Sequence, residues 1–144
     1  MRHILYLIAF LIFNSFFSQG VVGIWETVNE KTGKAESHVK IYEKEGKYYG
    51  EIIKILDPKD ADNLCTECSG SFKNKKIKGM RIMWGFSKES KTKYENGKIL
   101  DPNDGDIYSC NLKLENANKL KVRGYIGISL IGRSQYWNRI NQKI

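Results

Sequence analysis

The chain has 144 residues, with 24 Lys and Arg against 16 Asp and Glu, a net charge of +8, and only two Pro and three Cys. That length suits one domain and excludes a multidomain enzyme. No known catalytic motif occurs in it, so composition and pattern speak to architecture and compartment before chemistry.

Residues 1–20 stand apart. Arg2 and His3 give a positive start, Ile4 to Phe13 is nearly unbroken apolar, and Asn14-Ser15 begins a more polar exit. This is the plan of a secretory signal peptide, and the apolar run is short for a membrane-spanning helix. The alternative, a buried N-terminal helix, finds no helical partner later in the chain. Cleavage is expected between Ser18 and Val21, leaving residues 21–144 as one exported domain, periplasmic or secreted. Removing residues 1–20 takes one arginine and no acid from +8, leaving +7, and it removes four of the six Phe. Three Trp and seven Tyr remain, rings that want a hydrogen-bond partner or a wet edge.

From Val21 onward no long window keeps a helical period, and short strand-like runs alternate with turn chemistry. Val21 to Asn29 is the first run, ending at Thr32-Gly33. Ser37 to Glu43 alternates, and Lys44-Glu45-Gly46-Lys47 turns it into Tyr48 to Leu56, which stops at Asp57-Pro58. Gly79 to Phe86 alternates Met80, Ile82, Trp84 and Phe86 against Arg81 and Met83. Asn96-Gly97, a type I′ hairpin signal, is expected to join Lys93-Tyr94 to Lys98–Leu100. Ile107 to Glu115 places Tyr108, Cys110, Leu112 and Leu114 on one face, a turn at Asn116–Asn118 leads to Leu120–Arg123, and Ser134 to Ile140 closes the chain. About eight to ten short strands joined by tight turns predict an all-β, antiparallel up-and-down barrel, because an open sheet would leave two edges and a bare apolar face. A sandwich is the competing architecture.

Several residues invite chemical readings. Cys65-Thr66-Glu67-Cys68 lies in the long segment from Asp57 to Lys78. In an oxidising compartment the pair is expected to form a local disulfide. A thioredoxin-type site would need a helix N-terminus, and a zinc site would have to recruit Cys110 and His38 at a spacing that fits no known pattern, so no metal or cofactor is expected. Cys110, on an apolar strand face, reads as a buried free thiol. His38 alternates with Val39 and Ile41 and so faces away from them. Ile55–Asp62 is echoed by Ile99–Asp106, each with a Pro-initiated turn and three acids. A calcium loop is the sharper explanation of the echo, but Gly105 stands fifth where an EF-hand needs it sixth, and Leu112 occupies the twelfth position. An enzyme using these acids is a third functional alternative. The Lys73–Lys78 cluster raises nucleic-acid binding, against which stand export and the excess of Lys over Arg; a generally solvated, Lys-rich surface is expected, with weak contact to an anionic envelope surface as the alternative.

Gly23-Ile24-Trp25 opens the first strand, and Arg133, Tyr136, Trp137 and Arg139 stand near the other terminus. In a closed barrel these strands are neighbours, so Arg139, with Arg133 as the alternative, is expected to lie across Trp25 in a cation–π contact. Such a pairing resembles the lipocalin-like superfamily. A broader resemblance rests on Gly23-Ile24-Trp25, Gly50, Lys78-Gly79-Met80, Asp101-Pro102 with Gly105 and Tyr108, Leu120–Gly127, and Gly132–Arg139. These blocks are similar to the bacterial exported family catalogued as domain of unknown function 2147. The resemblance implies a lipocalin-like barrel in the bacterial envelope and carries no established activity. The functional expectation is a non-enzymatic, monomeric binder of a small, partly apolar ligand, lined by Trp25, Tyr49, Trp84 and Tyr108. The rival is a structural or interaction protein of the envelope whose barrel is solid, and interior volume separates the two.

Overall fold

The computed structural model describes residues 19–141, so the expected signal peptide lies almost wholly outside the described residues. Eight antiparallel strands follow in chain order: β1 (Gly23–Val28), β2 (Ala35–Lys44), β3 (Lys47–Ile55), β4 (Arg81–Lys88), β5 (Lys93–Leu100), β6 (Ile107–Asn116), β7 (Lys119–Tyr125) and β8 (Gly132–Ile140). Each pairs with its sequence neighbours, and β8 pairs back on β1 through Ile24–Ile140, Trp25–Arg139 and Glu26–Asn138. The expected up-and-down barrel forms and the sandwich does not. Closure follows from the turns: Glu45 and Gly46, both at positive φ (52° and 76°), give the tight β2–β3 hairpin that twisted antiparallel strands require. A single 3₁₀ turn, Gly70–Phe72, interrupts the β3–β4 connection.

Three local readings are corrected. Asn96-Gly97 does not join two strands. It forms a bulge inside a continuous β5, with Asn96 at φ 62° and a register shift between Tyr94 and Gly97. The turn signal is overridden because Gly97 faces inward beneath Phe86, where an added Cβ would lie 2.3 Å from the ring. In β3 the buried residues are Tyr48, Gly50 and Ile52, which sends Tyr49 outward to stack on Tyr42 with ring centroids 5.7 Å apart. Gly50 belongs inside because Met83 fills the space beside it. In β4 the register shifts between Gly50 and Glu51 give Arg81, Ile82 and Met83 only two opposing residues, so consecutive Ile82 and Met83 are both buried. Trp84 thereby leaves the interior and stacks on Phe72 of the β3–β4 connection.

That connection is an ordered wall rather than a loose loop. Leu64 bridges Lys76, Cys65 N–H donates to Lys75 O, and Ile77 N–H donates to Asn63 O. Cys65 and Cys68 are bonded to each other and almost fully buried, and Cys110 is a buried free thiol. A ring this small removes little chain entropy, about 2 kcal/mol or less, so the disulfide acts locally. It packs the wall against the β5–β6 turn, where Gly105 lies so close to Glu67 O that a Cβ would approach it to 2.0 Å.

The two barrel ends differ. Trp25, Val39, Tyr48, Phe86, Tyr94, Leu112 and Leu120 are buried and fill the end that holds the β2–β3, β4–β5 and β6–β7 turns. The opposite end carries the longer connections and stays open.

Candidate ligand-binding site

The closed end is sealed by charge as well as by packing. Arg139 Cζ sits 4.3 Å from the centroid of the Trp25 ring. Its guanidinium donates to three backbone carbonyls: Val22 at 2.9 Å, Gly20 at 2.7 Å and Ala117 at 2.7 Å. Trp25 Nε1 donates to Val21 O at 2.8 Å. Burial pulls the Arg139 pKa down, but a guanidinium remains charged at any ordinary pH. Gly23 explains the Gly-Ile-Trp spacing, since its φ of 145° suits glycine and a Cβ there would lie 2.6 Å from Arg139 Nη1. Arg133 is not an alternative partner. It stands at the other end of β8, paired with Glu30 at 3.2 Å.

The open end holds a cavity of about 600 Å³. Its walls carry Ile52, Ile82, Ile99, Val122 and Trp137, together with inward polar groups. Thr27 and Ser37 share a hydroxyl hydrogen bond of 2.8 Å, and Trp137 Nε1 donates to Gln135 at 3.2 Å. Its rim brings together Glu36, Asp57, Asp60 and Asp101 against Lys34 and Arg133. Of the four lining residues expected from sequence, only Tyr108 faces this cavity. Trp25 belongs to the sealed end, and Tyr49 and Trp84 lie on the outer face. Trp137 and Arg133, expected at the closure, line the cavity instead.

The rim is a repeated device. Asp57 accepts from Lys59 N–H at 2.9 Å, and Asp101 accepts from Asn103 N–H at 2.9 Å, so both halves of the sequence echo are Asx turns at one barrel end. Among the described residues no group of three or more His, Cys, Asp or Glu is placed to hold a metal ion. His38 pairs with Glu26 at 3.1 Å, away from Cys65 and Cys68. Tyr108 donates to Asp104 at 2.5 Å, and that bond chiefly pushes its phenol up to about 12, so it stays a protonated donor. In the basic cluster, Lys76 pairs with Asp62 at 2.8 Å and holds that carboxyl low, while Lys73 donates to Thr66 O.

Glu36 is the rim carboxylate under most strain. Burial raises its pKa, a hydrogen bond with Asn29 opposes this, and Asp101 and Asp60 add repulsion. A carboxyl raised in the folded state binds protons more tightly folded than unfolded. Its ionisation therefore costs stability as pH rises above 4.5 towards the folded value, and costs nothing once both states are protonated. Glu36→Gln is accordingly expected to raise the melting temperature at pH 7 and to leave it unchanged near pH 3. Melting curves at the two pH values check this, and a loss of stability at pH 7 would refute the sign.

Thr27, Ser37 and Gln135 were within reach of a sequence reading. Each occupies the inward position of an alternating run, two residues from Trp25, Val39 and Trp137 respectively, and all three lie towards the same barrel end.

A family described as an uncharacterized protein conserved in bacteria (DUF2147) matches residues 23–139, from the glycine of the closure motif to its arginine. The chain belongs to this family. The fold of this chain is lipocalin-like: protein HP1028 of Helicobacter pylori, described as belonging to the lipocalin family, superposes with a TM-score of 0.75. The two are 22% identical over 83% of this chain and 82% of that one, which speaks to fold alone. No curated protein matches this DUF2147 member significantly.

Proposed function

We propose that this DUF2147 protein is an exported, non-enzymatic carrier that holds one small, partly apolar molecule in the open end of its barrel. The observation that carries the reading is the cavity of about 600 Å³, within the range of small-molecule sites and too large for a solid barrel. Its aliphatic walls with Trp137 suit an apolar body, and the Thr27–Ser37 pair and Gln135 offer hydrogen bonds to a polar group. Four rim carboxylates face two cations, one already paired with Glu30, so the polar end of the ligand is neutral or cationic rather than a carboxylate. The acids serve the Asx turns and the rim, and the Thr27 and Ser37 hydroxyls bond to each other rather than to a general base, so binding is favoured over hydrolysis.

The test is a fluorescence titration of the mature protein with three probes: retinol, a dansyl-alkylamine and dansyl-undecanoic acid. Saturable binding of retinol and the amine at one site per chain, with the acid weaker, is the expected result. No saturable binding by any probe would overturn the carrier reading, and tightest binding of the acid would overturn the head-group preference.

A further inference from the structure

The β7–β8 hairpin ends beside the cavity mouth in an aliphatic tip. Ile126, Ile128, Leu130 and Ile131 are 68%, 58%, 85% and 65% exposed within six residues. Isolated exposed aliphatics are ordinary on a protein surface, but four on one protruding turn are not. The turn is built and held. Arg123 donates through Nε and Nη2 to Ser129 O at 2.9 and 2.7 Å, and through Nη1 to Ser134 Oγ at 3.1 Å. Ile126 N–H donates to Ile131 O, and Ile131 N–H to Ile128 O. Backbone groups satisfied inside the turn lower the cost of placing it where water is scarce.

The two strands that carry the tip hold only basic charge of their own. From Asn116 to Ile144 the chain contains no Asp or Glu. Of the basic residues on the two strands, Arg123 and Arg133 stand beside the tip, Arg133 paired with Glu30 at 3.2 Å, while Lys119 and Arg139 lie at the opposite, closed end of the barrel. Residues 124–132 are uncharged and are flanked directly by Arg123 and Arg133. On the outer face, Lys119 covers the half-exposed ring of Tyr136 at 4.8 Å.

We propose that this hairpin docks the protein on an anionic lipid bilayer, with the four aliphatic side chains entering the boundary between headgroups and acyl chains, and with Arg123 and Arg133 at headgroup depth. A convex aliphatic tip with basic shoulders matches that boundary, where burial of apolar area and attraction to anionic lipid act together. A protein partner would more commonly be gripped by aromatic anchors seated in pockets, and the tip has none. The docking itself does not depend on the cavity being occupied.

The experiment is co-sedimentation of the mature protein with vesicles of phosphatidylethanolamine and phosphatidylglycerol, and with vesicles of phosphatidylcholine alone. Wild type is expected to partition onto the anionic vesicles, less so at high salt and less so onto phosphatidylcholine. The double variant Ile128→Ser, Leu130→Ser changes only exposed side chains, so its melting temperature should match wild type while partitioning falls about tenfold or more. A Leu130→Trp variant should shift its emission to the blue on binding and be quenched by brominated acyl chains. No partitioning by wild type, or undiminished partitioning by the double serine variant, would overturn the proposal. So would a wild-type protein that self-associates through the tip in analytical ultracentrifugation without binding vesicles, which would make a second copy the occupant.

Discussion

Trp25→Ala is expected to destabilise the barrel by about 3–5 kcal/mol, the range for deleting a fully buried large aromatic. Trp25 is 0% exposed, so the deletion leaves a void that the surrounding strands cannot collapse into without breaking the β1–β8 pairing. It also strands Val21 O and removes the ring beneath Arg139. Arg139→Lys keeps the charge but cannot donate in the planar fork to Gly20, Val22 and Ala117, so it should cost less than the tryptophan deletion yet more than a surface change. The cation–π contact contributes only about 0.5–2 kcal/mol of this, and a double-mutant cycle on the two residues isolates it. Urea unfolding reads all three variants. A loss below about 1 kcal/mol for Trp25→Ala would mean that the closed end is not a cooperative part of the core.

Gly124→Phe should abolish probe binding, by about a hundredfold or more, while leaving the barrel folded. Gly124 faces inward on β7, and a Cβ there would rest 3.6 Å from Tyr108 Cβ, ordinary contact that costs nothing to form. The remaining atoms of a phenylalanine would then extend into the cavity and occupy the space proposed for the ligand. Gly97 provides the contrast, because its Cβ would strike the Phe86 ring at 2.3 Å and overpack a filled interior. Gly97→Val should therefore lose about 1–3 kcal/mol of stability. Gln135→Trp plugs the same cavity from the neighbouring strand and serves as an independent check. If both plugged variants remain folded and bind retinol as wild type does, the ligand lies elsewhere and the carrier reading fails.

The sequence by itself determined that the residues from Val21 onward are built of strands and that these strands close. Alternating runs, turn residues at Glu45-Gly46 and Asn116–Asn118, and the Gly23–Trp25 spacing are local signals, and each was legible because a strand's period and a tight turn are decided by neighbouring residues. The partner of Trp25 was legible for the same reason, since sequential antiparallel pairing leaves the first and last strands nowhere else to meet. Which tryptophans and tyrosines face the interior was decided only in three dimensions. One extra residue in a bulge reverses every side chain beyond it, and the bulges of β4 and β5 arise from Met83 packing beside Gly50 and Phe86 packing over Gly97. Those contacts join residues 33 and 11 positions apart, and no period within either strand announces them. The cavity rim was hidden for a further reason. Glu36, Asp57, Asp60, Asp101 and Arg133 come from four separate strand ends and connections, and only closure of the barrel gathers them around one opening.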